Sequence, residues 1–412
     1  MDISDELSVG ERIRLLRESR GLSRPVLAGL CGRGPDWLKK IESGERELRS
    51  HTLLMRLAAA LQVTDLSALT GGGADVVQPV PLGRLNHPGL PGIWGAVMNR
   101  SLTPAPAGGL ASLDTSTLQG RVDQTWRLWH SSDHNRTEVG ALLPDLIRDA
   151  EAAVRALGGT DRRFALVALS DTYRLTGQAT AYIAPSELAW VVADRAMAAA
   201  QEADQPAAIA AAAWNLGNIL RETSYAEEAL RVVIEAADLI RPHLETAPED
   251  WRGIYGALQL HAAVTHAREG NEGDAWRYWD KGNQVAKSLP AAYVHPSTVF
   301  GRANVDFHEV SVATDLRKAQ KALGLADDID PDVMPSRERR ARLWVEVARG
   351  HLQRGDRTAA LHVMKLAHSI GAETVAYTPS ARVVAADLWR KAPRALRPEA
   401  GRLAEAVGIN TA

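Results

Sequence analysis

Cysteine is almost missing from this chain of 412 residues, where Cys31 stands alone. One thiol can close neither an internal disulfide nor a thiolate metal site, so stability must come from packing and a reducing, cytoplasmic setting is expected. Phenylalanine, used three times, is scarce too. Ala and other helix formers outweigh the strand-favouring aromatics, which predicts an all-α fold. No stretch of about 18 uninterrupted apolar residues occurs, and the acidic start from Met1 to Glu6 lacks the basic and apolar regions of a signal peptide. Neither secretion nor a membrane span is expected. An excess of one charge sign is also lacking: the net charge of −2 argues against indiscriminate binding to nucleic acid or anionic membrane, although an average can hide a local basic patch.

The chain changes character twice. Residues 1–70 carry short helical patterns, and residues 71–109 hold nine Gly and six Pro with no helical or strand period, which reads as a linker. Within it Ile93, Trp94, Val97 and Met98 could form one short docked turn. From about residue 110 to 412 the pattern is one of amphipathic helices separated by Gly, Asn, Asp or Pro.

Five short helices are predicted in the first segment. The first spans Gly10 to Ser19 with Ile13 and Leu16 inward; the second follows Ser23 as N-cap, with Pro25 in its first turn and Leu27 and Ala28 inward. A tight turn, Cys31-Gly32-Arg33-Gly34, leads to a third helix from Pro35 to Gly44 that buries Leu38 and Ile41. Leu53 to Leu61 gives a fourth helix and Asp65 to Leu69 a last turn.

Gly21-Leu22-Ser23, Leu27-Ala28, Gly32 and the run from Trp37 to Arg46 resemble the helix-turn-helix of the phage repressor-like (Cro/C1, XRE) family over about 60 residues. The resemblance implies a five-helix, lambda-repressor-like domain that docks its third helix in the major groove of double-stranded DNA. Charge agrees, because eleven Arg or Lys lie between Arg12 and Arg56 and outnumber the acidic residues there. Carried over by position, the family's base-reading sites fall on Pro35, Asp36 and Lys40, and a phosphate contact on Arg24. Arg33, Lys39, Arg46 and Arg49 flank the same surface and suit the DNA backbone. Lys40 could donate to guanine and Asp36 could accept from cytosine. Gly34 and Pro35 keep a workable helix start but offer little direct readout, so DNA shape is expected to share in specificity.

Small residues recur after residue 110 at the spacing where paired helices cross. They appear in Trp214 to Gly217 with Ala229, Val233 and Ala236; in Ala263, Gly270 and Ala275; and in Trp344, Ala348, Gly355 and Ala360, with weaker copies at Leu166 to Ala196 and Val310 to Ala322. These resemble five degenerate tetratricopeptide helix pairs stacked into a superhelix with a concave inner surface. Trp, which outnumbers Phe and Tyr together, then serves largely as packing between pairs. Counting from the crossing, the first helices should turn Asp171, Arg174, Trp214, Asn218, Arg221, Asn304, Phe307 and Arg349 inward, with Phe164, Ser311 and Arg342 beside them. A lining of Arg, Asn and aromatics suits a peptide backbone or a small polar or anionic effector.

This plan resembles a large set of actinobacterial transcriptional regulators, through runs such as Leu142 to Ile147, Trp190 to Ala196 and Phe300 to His308, and in outline the peptide-sensing regulators of Gram-positive quorum systems. The resemblance implies a homodimeric transcription factor whose array dimerises, senses an effector, or both. HExxH, Walker A, GxSxG and paired CxxC motifs are lacking, so neither an enzyme nor a cofactor is expected. His130 and His134, four residues apart, lack a recognised third ligand, so no metal is expected either. The alternative is an interaction scaffold or antitoxin-like module whose array binds a partner protein.

Overall fold

A computed structural model of the chain describes residues 7–46, 48, 51–61, 63, 69, 85–99 and 115–411. Residues 71–84 and 100–109 of the expected linker, 65–68 of the expected fifth helix, and Arg49 lie outside these residues. The chain divides into two compact units, 1–80 and 81–412.

The first unit contains α1 (Val9–Ser19), α2 (Arg24–Leu30), α3 (Pro35–Glu42) and α4 (His51–Ala60). Local chemistry fixes where each begins. Ser8 and Glu11 cap α1 reciprocally: the Ser8 amide donates to the Glu11 carboxylate at 2.8 Å and the Glu11 amide to Ser8 Oγ at 3.3 Å. Ser23 accepts from the Val26 amide to start α2, and Pro35 sits in the first turn of α3 behind a Gly34 cap. Ile13, Leu27, Leu38, Leu57, Leu61 and Leu69 are fully buried together with Cys31. Gly10 is needed where α1 crosses α3, because a Cβ there would run into the Ile41 carbonyl oxygen.

The second unit begins with α5 (Leu90–Met98), which places Ile93 and Val97 in an apolar cluster with Leu143 and Trp126. Six antiparallel pairs follow: α6 (Thr115–Ser131) with α7 (Asn135–Ala156), α8 (Gly159–Thr180) with α9 (Ser186–Glu202), α10 (Pro206–Glu222) with α11 (Ala226–Ile240), α12 (Glu249–Arg268) with α13 (Glu272–Lys287), α14 (Arg302–Asp315) with α15 (Ala319–Asp327), and α16 (Arg337–Gln353) with α17 (Arg357–Ile370). The first pair was not among the five read from the repeat. Three shorter helices, α18 (Ala372–Tyr377), α19 (Pro379–Lys391) and α20 (Arg397–Ala406), complete the unit. No strand occurs among the described residues, and none of their helices is long and apolar enough to cross a membrane.

Small residues let the paired helices approach. At Gly282 of α13 a Cβ would crowd the Leu260 side chain of α12, and at Gly256 of α12 the ring of Phe300, from the segment before α14, lies where a Cβ would be. The array also closes on itself. His130 of α6 meets Ser336 Oγ at the start of α16 at 3.1 Å, and the amides of Arg136 and Thr137 at the start of α7 donate to Glu373 of α18 at 2.7 and 3.1 Å. The segment before α5 crosses this seam, with Leu85 over Gly408 and the His87 ring 5.4 Å from that of Tyr377.

Candidate functional site

Helix α3 offers a polar face. Pro35, Asp36, Lys39 and Lys40 are exposed, while Leu38 and Ile41 anchor the opposite side in the core and Trp37 is half-buried. Asp36, Lys39 and Lys40 therefore share one helix surface. The turn before it is held by the Arg33 amide, which donates to the Ala28 carbonyl at 2.8 Å, and Gly32 there takes φ 67°. After α3 the Arg46 amide returns to the Lys40 carbonyl at 2.9 Å, leaving the Arg46 side chain exposed. Arg33 is half-buried.

Arg24 is placed differently from a simple phosphate contact. Its Nε donates to Glu42 at 2.7 Å, and Glu42 also receives two bonds from buried Arg17. Burial would raise the Glu42 carboxyl, but the two guanidinium groups outweigh it and hold it below its ordinary value. Arg24 remains 41% exposed, enough to reach outward as well. The sequence did carry a signal for this triad: Arg17 follows Ile13 by one turn on the apolar face of α1, where a charge needs a buried partner. Cys31 is fully buried, and burial pushes its thiol up to about 11.

In the second unit ion pairs join the helices of the array. Arg174 donates to Asp171 and, at 2.7 Å, to Ser297 Oγ; Arg268 reaches Glu222 at 3.0 Å and Asp315 at 3.5 Å; Arg349 reaches Asp315 at 2.7 Å and also pairs with Glu346. Arg342 holds Glu338 at 2.6 Å. Asn218 accepts from Arg221 at 2.7 Å, and buried Asn304 gives its carbonyl to the His308 ring at 2.6 Å. Asp171, Arg174, Asn218, Arg221 and Arg349 thus all take part in polar contacts of the array.

Trp214 and Phe307 are 8% and 5% exposed and sit in hydrophobic clusters, so most of their surface is taken up by packing. Phe164 is exposed. His130 and His134 do not share a helix, since α6 ends at Ser131; His130 stacks on Trp126. Sequence reasoning missed Arg136, Arg268, Arg339 and Tyr182. Arg174, Arg221, Arg268 and Asp315 recur every 47 residues, a period that would have found Arg268.

Residues 8–69 match the family model of a helix-turn-helix domain. No curated protein matches the chain. Among solved structures it is similar to Bacillus thuringiensis PlcR, in a crystal structure of that protein in complex with the peptide PapR7 and DNA, at 12% identity over 78% of this chain and 94% of that one, with a TM-score of 0.29. A likeness that loose says nothing of how this chain works. The capped α1, the α2 turn α3 arrangement and the family match agree that the N-terminal segment is a helix-turn-helix domain.

Proposed function

We propose that this chain is a sequence-specific, DNA-binding transcriptional regulator of the phage repressor-like type that acts as a homodimer in the cytoplasm. Helix α3 enters the major groove, with Asp36 and Lys40 at base edges beside Pro35, while Arg24, Arg33, Lys39, Arg46 and Arg49 carry the phosphates. The observation that supports this best is the polar face of α3, exposed along its length on a helix whose other side is locked into a core. One such helix reads few base pairs, so two copies on a two-fold operator supply useful affinity. The array provides dimer contacts and senses an effector on its inner face, which biases DNA binding if one conformation binds the effector better.

The test is the pair Asp36→Ala and Lys40→Ala in the full chain, assayed by gel shift on DNA from upstream of its own gene. Sequence preference should be lost with helical content unchanged. Intact preference would remove that face from the interface, and binding that is weak and salt-sensitive for every sequence would favour a scaffold.

A further inference from the structure

The ion pairs of the inner face do not serve all of its guanidinium groups. Arg136 of α7 is 3% exposed, and among the described residues no carboxylate lies within ion-pair distance of its side chain. Its amide holds Glu373, its Nη2 donates only to the Ala181 carbonyl at 3.4 Å, and its Nε and Nη1 have no acceptor. The guanidinium is held in place by ring faces, 5.3 Å from the centroid of Trp129 and 5.5 Å from that of Tyr377. Arg221 of α10 is similar: Glu222 is 4.0 Å away, Asn218 takes one bond, and its Nε has no acceptor. Burial, and then the neighbouring Arg342 and Arg268 respectively, push each of these two guanidinium groups down to about 10. Arg268 and Arg342, which have close carboxylate partners and are more exposed, are shifted up. A buried cation with too little counter-charge is costly, and these two, Arg136 with no ion pair and Arg221 with one at the limit of contact, can take an anion.

Tyr182 marks where it would sit. In the turn between α8 and α9 this residue takes φ 69°, a left-handed backbone unusual for a bulky side chain. The Arg342 guanidinium stands 5.8 Å from the centroid of its ring, and Arg136, Arg221, Arg268 and Arg339 all lie within electrostatic reach of it. Part of this arginine cluster meets solvent: Arg268 is 42% exposed and Arg342 26%. The residues gathered here present charge and hydrogen-bond donors, while Trp214 and Phe307 are packed away.

We propose that the inner face of the array binds a small multivalent anion, a phosphorylated or polycarboxylated molecule, beside Tyr182, with Arg136 supplying unmatched and Arg221 only weakly matched positive charge; this rests on reading the array as the effector-sensing part. Two guanidinium groups from different helix pairs select a ligand with more than one negative group, and forked donors suit phosphate and carboxylate alike.

Thermal unfolding and titration calorimetry of the full chain with inorganic pyrophosphate, with citrate, and with chloride at matched ionic strength test this. Pyrophosphate or citrate should raise Tm saturably where chloride does not, and the stronger of the two names the preferred group. Arg136→Met should abolish that rise while leaving the anion-free Tm unchanged or higher, because it removes an unpaired buried charge. If that variant does not fold, Arg221→Met decides by the same comparison. No saturable response to either anion, or an equal response in the folded variants, overturns the site. An anion that binds but leaves DNA affinity unchanged keeps the site and removes its effector role.

Discussion

Arg17 grips Glu42 at two points, with Nε at 2.6 Å and Nη2 at 3.1 Å, tying the first helix to the last residue of the third. Glu42 in turn holds Arg24 at the start of α2, so one carboxylate joins all three helices of the DNA-reading half. Removing one member of a buried pair strands the other. Glu42→Gln should therefore destabilise the first unit by on the order of 3 kcal/mol, whereas Arg17→Met combined with Glu42→Leu should recover most of it. Hydrogen exchange of amides in α1 to α3 reads this. Protection as high in Glu42→Gln as in the parent chain would mean the triad is idle.

Acid should loosen the array well before it protonates ordinary surface carboxylates. Burial lowers His130 to about 4 and His295 and His308 to about 3, and drives His261 well below 6.5. The unfolded chain takes up these protons near 6.5 and the folded one does not, so stability falls as pH drops below 6.5. Each histidine contributes up to about 1.4 kcal/mol per pH unit until its own folded value is reached. Glu373 adds a lower window: burial raises it, but the nearby His87 ring and bonds from Thr137 and the Arg136 amide prevail and bring it to about 2. Its contribution is complete above 4.5 and fades towards pH 2. Tm measured from pH 7 to 4 should fall steadily, and a flat profile would contradict the buried neutral histidines.

Two glycines should tolerate no side chain. Gly10→Ala puts a methyl group into the Ile41 carbonyl and Gly256→Ala puts one into the Phe300 ring. Each should cost about 2 kcal/mol, the first in the DNA-reading unit and the second in the array. Urea unfolding checks both, and an unchanged midpoint would show that the packed neighbour can give way without loss.

The helix-turn-helix was readable because its signals are local: Ser23, the glycine turn and Pro35 each act within a few residues of chain. The polar lining was readable only in part. Arg174, Arg221 and Arg349 follow from repeat position, but Arg268 follows from a 47-residue period that a template of roughly 34 residues does not look for. Arg136 lies on the second helix of a pair and Tyr182 in a turn, where no repeat register points inward. Trp214 and Phe307 occupy the right register, yet their length lets them lean into the helix crossings instead. Register gives direction from the axis; it does not give reach.

The segment running from Leu85 into α5 lies across the seam where the first and last parts of the array meet, touching Gly408, Glu373 and Tyr377 on one side and the α7 cluster on the other. In mechanical terms this is a clasp fastened by the cord that leads to it. Tension arriving along the chain at Leu85 loads the seam before it loads any helix pair, so a pull from the N-terminal side would test the closure of the array first and its repeats only afterwards.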